Sequence, residues 1–125
     1  MSKNELFFQS NDNMTNVHMI TWEPDSEVLG IVQINHGVSE HIDRYDEFAK
    51  FLNSKGILVV GIDLLGHGMS TNNGNKKMYF GPNGSFKTVV ADIHHALTQI
   101  KNIHPNVPYT MLGFSLGSFL TRTYM

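Results

Sequence analysis

The stretch YTMLGFSLGS, residues 109–118, is the most informative for the fold, because it joins an apolar strand pattern to a sharp turn with a serine at its tip. Residues 113–117, GFSLG, have the form G-x-S-x-G. The small glycines on both sides of Ser115 allow a strand and a following helix to approach closely around a strained turn. Such a turn exposes the hydroxyl at a helix N-terminus, where free N–H groups and the helix dipole favour a developing anion. The plainer alternative is a strand-to-helix turn that carries no chemistry.

Strand and helix patterns alternate in front of this turn. Apolar runs predict strands at LFFQS (6–10), VHMITWE (17–23), VLGIVQIN (28–35), ILVVGID (57–63) and YTMLGF (109–114). Helical spacing appears in 43–56, with Asp43 as the predicted cap and Gly56 as the predicted left-handed terminator, and again in 85–105. The later runs are apolar on both faces, as buried parallel strands are. The order hairpin, β, α, β, α, β therefore predicts an α/β fold with a mostly parallel sheet and helices on both faces.

Length and composition exclude several classes of protein. The chain has 125 residues, a net charge of −2 and no cysteine. The length suits one domain, residues 1–125. The charge gives no reason to expect nucleic acid as a partner, and the lack of cysteine excludes disulfides and thiolate chemistry. No apolar run approaches the ~20 residues that cross a bilayer, so we expect no stable membrane insertion and a cytoplasmic protein.

Three unusual loops follow the predicted parallel strands, at HGVSEH (36–41), LLGHGMS (64–70) and GFSLGS (113–118). Ligands of such sheets bind beyond the carboxyl ends of the strands. His36 and Gly37 would bring the Val38 N–H to this edge, where it and the Leu116 N–H could form an oxyanion hole.

A metal site is the sharper alternative for the first loop. His36, Glu40 and His41 have the spacing H-x-x-x-E-H, which is one residue longer than the inverted zinc motif. The loop position also differs from the helical position of that motif. We therefore favour the oxyanion interpretation and expect no metal.

The second loop carries Gly66-His67-Gly68, but Thr71 stands where a dinucleotide fingerprint needs its third glycine. We interpret it as a tight turn with Asp63 and His67 as hydrogen-bonding supports. No phosphate-binding loop of the form G-x-x-x-x-G-K-[ST] is present, and no organic cofactor is implied.

Together the loops resemble the α/β-hydrolase fold, in particular the monoacylglycerol lipase and lysophospholipase group, which shares its domain type with the serine aminopeptidases. The residues that carry the resemblance are HGVSEHIDRYDEFAKFL (36–52), GIDLLGHGMS (61–70), GPNGSFKTVVADI (81–93) and GFSLGS (113–118). Phe114 and Ser118 stand where the group usually has histidine and glycine. The resemblance implies a serine nucleophile at Ser115 in a nucleophile elbow supported by Gly113 and Gly117, and a small acyl ester as substrate.

The rest of the catalytic machinery is not recognisable in these residues. In this fold the triad follows the order Ser, Asp or Glu, His, yet all seven histidines precede Ser115. We therefore expect residues 1–125 to be the N-terminal portion of one hydrolase domain, truncated after the elbow, inactive alone and prone to self-association. A peptidase of the serine aminopeptidase type and a catalytically inactive half-domain are the alternatives.

Overall fold

The computed structural model describes residues 2–10, 16–36, 41–63 and 86–113. The strands are β1 (Ser2–Gln9), β2 (Asn16–Glu23), β3 (Gly30–Asn35), β4 (Ile57–Ile62) and β5 (Tyr109–Gly113). A 3₁₀ turn, Ile42–Tyr45, leads directly into helix α1 (Asp46–Asn53), and helix α2 (Phe86–Ile103) precedes β5. The five predicted strands and the two helices predicted before Ser115 are present, with ends that shift by up to a few residues, whereas the helix expected after Ser115 lies outside the described residues.

The five strands form one sheet in the order β1-β2-β4-β3-β5. Strands β3, β4 and β5 are mutually parallel, whereas the β1–β2 hairpin is antiparallel and pairs antiparallel with β4. The helical connections allow the parallel pairs, because parallel neighbours need a crossover. The carboxyl ends of β3, β4 and β5 consequently share one edge of the sheet.

Alternation along the strands supplies one apolar core on each face of the sheet. On one face α2 packs on the strands through a core of ten buried residues: Val17, Met19, Ile31, Leu58, Val60, Ile62, Val89, Ile93, Ala96 and Ile100. On the other face Ile42 of the 3₁₀ turn and Ala49 of α1 belong to a second core with Ile20, Trp22, Ile34 and Val59 of the strands. The period of two in the strands sends neighbouring residues to opposite cores. The three layers of the predicted α/β fold are thus present.

The two ends of the first helical segment differ in how well they were predicted. Gly56 has φ +79°, so the left-handed terminator is confirmed. Asp43 does not cap the helix, and that prediction was wrong. It lies inside the 3₁₀ turn, which begins after His41 without a side-chain cap. Its carboxylate instead accepts a hydrogen bond from Lys3 on β1, so a contact distant in sequence determines its role.

Two buried polar contacts join α2 to the rest of the fold. Ser10, just after β1, donates a hydrogen bond of 2.6 Å to Asp92, and both side chains are buried. Gln33 in β3 donates to the Ile93 carbonyl at 3.1 Å and accepts from the Tyr109 hydroxyl at 2.6 Å. Buried polar groups need such partners, so these contacts also fix the position of α2. Among the described helices none is long and apolar enough to span a membrane.

Candidate active site

The described positions that precede the predicted oxyanion loop and the predicted nucleophile turn lie side by side at one edge of the sheet. In the register of the parallel β3–β5 pair, Asn35 is the partner of Gly113. Paired strands lie about 4.8 Å apart, and parallel strands point the same way. His36, fully buried after the end of β3, therefore lies at the same sheet edge as Gly113.

Several predicted site residues lie outside the described residues. They are Gly37, Val38, Ser115, Leu116 and Gly117. Their proposed roles remain predictions, anchored at the described positions His36 and Gly113. The alternative metal set also includes a residue outside the described ranges, Glu40.

A buried cluster occupies the carboxyl end of β4, the third parallel strand at this edge. Asp63 follows β4 and is 2% exposed. Its Oδ1 accepts a hydrogen bond of 2.7 Å from the Ile42 N–H, and its Oδ2 lies 2.6 Å from His18 Nδ1. The Asp63 N–H also donates to the His18 carbonyl at 2.8 Å. These contacts join Asp63 to the 3₁₀ turn and to β2. Its predicted role as a support of the turn at 64–70 stays a prediction, because that turn and His67 lie outside the described residues.

The sequence pattern did not identify His18 as part of this sheet edge. It lies in β2, is 2% exposed, and its Nε2 is 2.9 Å from Glu5 Oε1 on β1. The signal was present, because a histidine inside the apolar run VHMITWE must find polar partners once it is buried. Its partners come from other strands, so the sequence pattern does not name them.

Charges around the start of α1 form a second polar cluster. Asp46 accepts hydrogen bonds from Lys50 Nζ and Trp22 Nε1, each at 2.9 Å, and these donors lower the pKa of Asp46 to about 2. Lys3 Nζ lies 3.2 Å from the same carboxyl. The Asp43 carboxylate raises the pKa of Lys3. These contacts attach α1 to β1 and β2.

A depression of about 500 Å³ lies beside the end of α1. Its lining residues are Asp25, Ser26, Lys50, Asn53 and Ser54. Asp25 and Ser26 precede β3, and Ser54 lies between α1 and β4, so three of the five lie near the amino ends of parallel strands. Because sites of such sheets form beyond the carboxyl ends, this depression is not the candidate active site.

The strand order, the helices on both faces and the paired strand ends define an α/β-hydrolase. The family described as "Serine aminopeptidase, S33" matches residues 26–125, and the chain belongs to this family. In solved structures, a thermostable carboxyl esterase from Bacillus coagulans superposes with a TM-score of 0.88 at 32% identity, over 99% of this chain and 40% of the esterase.

Sequence relatives give the same assignment. A monoglyceride lipase homolog of Monkeypox virus is 37% identical over 121 residues, which are 97% of this chain and 41% of the viral protein. A monoacylglycerol lipase of Mycolicibacterium smegmatis is 33% identical over 103 residues, which are 82% of this chain and 35% of that lipase. The chain thus spans about two fifths or less of the length of these relatives.

Proposed function

We propose that the complete gene product containing residues 1–125 hydrolyses carboxylic esters through an acyl-serine intermediate on Ser115. The observation that supports this proposal is the pairing of Asn35 with Gly113. Because these two residues are partners, the predicted oxyanion loop and the predicted elbow follow neighbouring strand ends. A serine hydrolase needs these two parts within about one side-chain length of the same carbonyl.

In this mechanism the Ser115 Oγ attacks the ester carbonyl as a base accepts its proton. The Val38 and Leu116 N–H groups would stabilise the oxyanion, the alcohol would leave with a proton, and water would then release the acid. In this fold the acid and histidine of the triad follow the nucleophile along the chain. Because no histidine follows Ser115 within 125 residues, we propose that both come from residues beyond 125, so that 1–125 form part of one domain.

The proposed substrate is a monoacylglycerol or a lysophospholipid. Two of the named relatives are a monoacylglycerol lipase and a monoglyceride lipase homolog. Val38, Phe114, Leu116 and Phe119 would supply apolar side chains near Ser115, as an acyl chain requires. Burial of each methylene stabilises a complex by about 0.8 kcal/mol, so kcat/KM should rise about fourfold per methylene until the site is filled.

Aminopeptidase activity is the second candidate, because the matching family carries that description. It requires a group that binds a free amino terminus, for which Glu40 is the nearest carboxylate in sequence to the predicted oxyanion donor. A peptidase would require the free amine and be indifferent to acyl length.

Steady-state kinetics of the complete gene product test these proposals. The substrates are p-nitrophenyl esters of increasing length, monoacylglycerols, lysophospholipids and aminoacyl anilides. We expect ester hydrolysis that rises with chain length, a loss of at least about 10³-fold in kcat for Ser115→Ala, and near-normal activity for the matched variant Ser118→Ala. Preference for the anilides would replace the lipase assignment with the peptidase. Absence of hydrolysis of every substrate would support the inactive half-domain.

A further inference from the structure

We propose that Asp63, oriented by His18, is a positioning residue for the segment that carries the predicted oxyanion donor Val38. This inference rests on the proposed function for its catalytic consequence, but its structural content depends only on described contacts. Residues 37–40 connect His36 at the end of β3 to His41 and Ile42 at the start of the 3₁₀ turn. The position of Ile42 therefore sets the downstream end of this segment.

Ile42 is held at two points. Its side chain is fully buried and belongs to the core on the α1 face. Its backbone N–H donates to Asp63 Oδ1 at 2.7 Å. The first contact fixes the side chain in the core, and the second fixes the backbone at the first residue of the 3₁₀ turn.

The Asp63 carboxylate is itself held on its other side. Its Oδ2 lies 2.6 Å from His18 Nδ1, and the Asp63 N–H donates to the His18 carbonyl. His18 Nε2 lies 2.9 Å from Glu5 Oε1. Both ring nitrogens of His18 thus lie within hydrogen-bond distance of a carboxylate oxygen. His18 thereby fixes the rotation of the carboxylate that holds Ile42.

The Glu5 end of this network contributes less. The Glu5 side chain is 57% exposed, whereas His18 and Asp63 are each 2% exposed. Solvent screens the outer contact, while the inner contacts act in a low-dielectric interior. The positioning function therefore depends on His18 and Asp63.

Matched variants distinguish the effect of losing the hydrogen bond to Ile42 from a general loss of stability. Asp63→Ala removes the acceptor, whereas Asp63→Asn keeps an oxygen for the Ile42 N–H. His18→Leu removes the group that orients Asp63, whereas His18→Gln keeps a donor. Asp92→Ala is the matched control, because Asp92 is also a buried aspartate with a hydrogen-bonded partner, Ser10, on a different part of the fold.

Kinetics of the complete gene product on its preferred ester give the first measurement. A misplaced oxyanion donor weakens transition-state binding and leaves ground-state binding unchanged. We expect Asp63→Ala and His18→Leu to lower kcat by about 10- to 100-fold with KM within about threefold, and the Asn and Gln variants to recover most of the loss. The affinity for a trifluoromethyl ketone, which binds serine as an oxyanion, should fall by a similar factor. Asp92→Ala should lower the melting temperature and leave kcat within about threefold.

Amide hydrogen exchange at Ile42, followed by NMR in the same proteins, gives a readout that does not need turnover. Exchange should be at least about tenfold faster in folded Asp63→Ala or His18→Leu, and unchanged in Asp92→Ala. If Asp63→Ala does not fold, the exchange rate at Ile42 and the kcat of His18→Leu and His18→Gln test the positioning role instead. Unchanged exchange at Ile42, or an unchanged kcat in a folded variant of an active enzyme, would overturn the positioning role. An inactive wild type would instead refute the proposed function, and the exchange experiment would still decide this inference.

Discussion

Gly61 in β4 lies against the same residue that Asp63 holds. A Cβ at this position would be 2.2 Å from Ile42 Cδ1 and 2.9 Å from the Ile34 carbonyl oxygen. The Ile42 side chain is fully buried and would have to shift within the core, and the Ile34 carbonyl of β3 cannot move without disturbing the β3–β4 pairing. Position 61 thus requires glycine, because Ile42 and the Ile34 carbonyl leave no room for a Cβ.

We expect Gly61→Ala to lower the free energy of unfolding by about 1–3 kcal/mol, because overpacking forces side chains and backbone to shift. Gly30→Ala is the matched control. Its added Cβ would meet Ile57 Cδ1 at 3.4 Å and the Pro108 carbonyl oxygen at 3.7 Å, both ordinary contacts. Urea denaturation of the complete gene product measures both changes. Equal stability of the Gly61 and Gly30 variants would contradict the assigned role of Gly61.

Individual residues also show how far the sequence alone could define the site. The G-x-S-x-G motif and the His-Gly pair identified two strand ends that the sheet places side by side. Asp63 was identified as a support, but its two partners were not. Ile42 and His18 lie 21 and 45 residues away in sequence. Contacts of that separation depend on strand order, which the periodicity of a single strand does not encode.

Among the secondary-structure elements, α1 is attached to the sheet by charge as well as by its apolar face. Asp46 in its first turn receives hydrogen bonds from Lys50 on the same helix and from Trp22 on β2. Lys3 on β1 approaches the same carboxyl. The sequence predicted the position of this helix and its terminator at Gly56, but assigned its start to Asp43. The 3₁₀ turn and the Lys3 contact explain that error, because both arise from packing against β1 and β2.

The attachment at Asp46 should make stability depend on pH in the acid range. Its pKa is lowered from 3.8 to about 2 in the folded protein, so the folded state binds the proton less readily than the unfolded state. Its contribution is therefore fully present above about pH 4 and is lost as the pH falls towards about 2. Between pH 4 and pH 2 the free energy of unfolding should fall less for Asp46→Asn than for the wild type, because asparagine has no carboxylate to protonate. Urea denaturation at several pH values measures the free energy of unfolding. An identical pH dependence of the two proteins would contradict the proposed contribution of Asp46.

At the scale of the whole molecule, the two outer strands of the described sheet differ in character. Strand β1 is exposed along almost its whole length, and Leu6 and Phe7 are 44% and 53% exposed. Strand β5, at the other edge, is mostly half-buried. Edge strands present unpaired backbone groups to any further strand. The relatives, of which the chain spans about two fifths or less, motivate the proposal that further strands of the complete domain continue the sheet at β5.

A polypeptide limited to residues 1–125 should consequently self-associate through the β5 edge and hydrolyse esters hardly at all. Without triad partners, only weak catalysis by the remaining groups is expected. Size-exclusion chromatography with light scattering, together with an esterase assay, measures both properties. A monodisperse monomer with a cooperative thermal transition, or strong esterase activity, would be inconsistent with this proposal.

Covalent labelling tests the proposed role of Ser115 as the nucleophile of an ester hydrolase. A fluorophosphonate probe reacts with an activated serine by displacement of fluoride, and tandem mass spectrometry assigns the modified residue. We expect one stoichiometric adduct on Ser115 in the complete gene product, absent in Ser115→Ala and retained in Ser118→Ala. An adduct on another residue, or labelling that survives Ser115→Ala, would contradict this role.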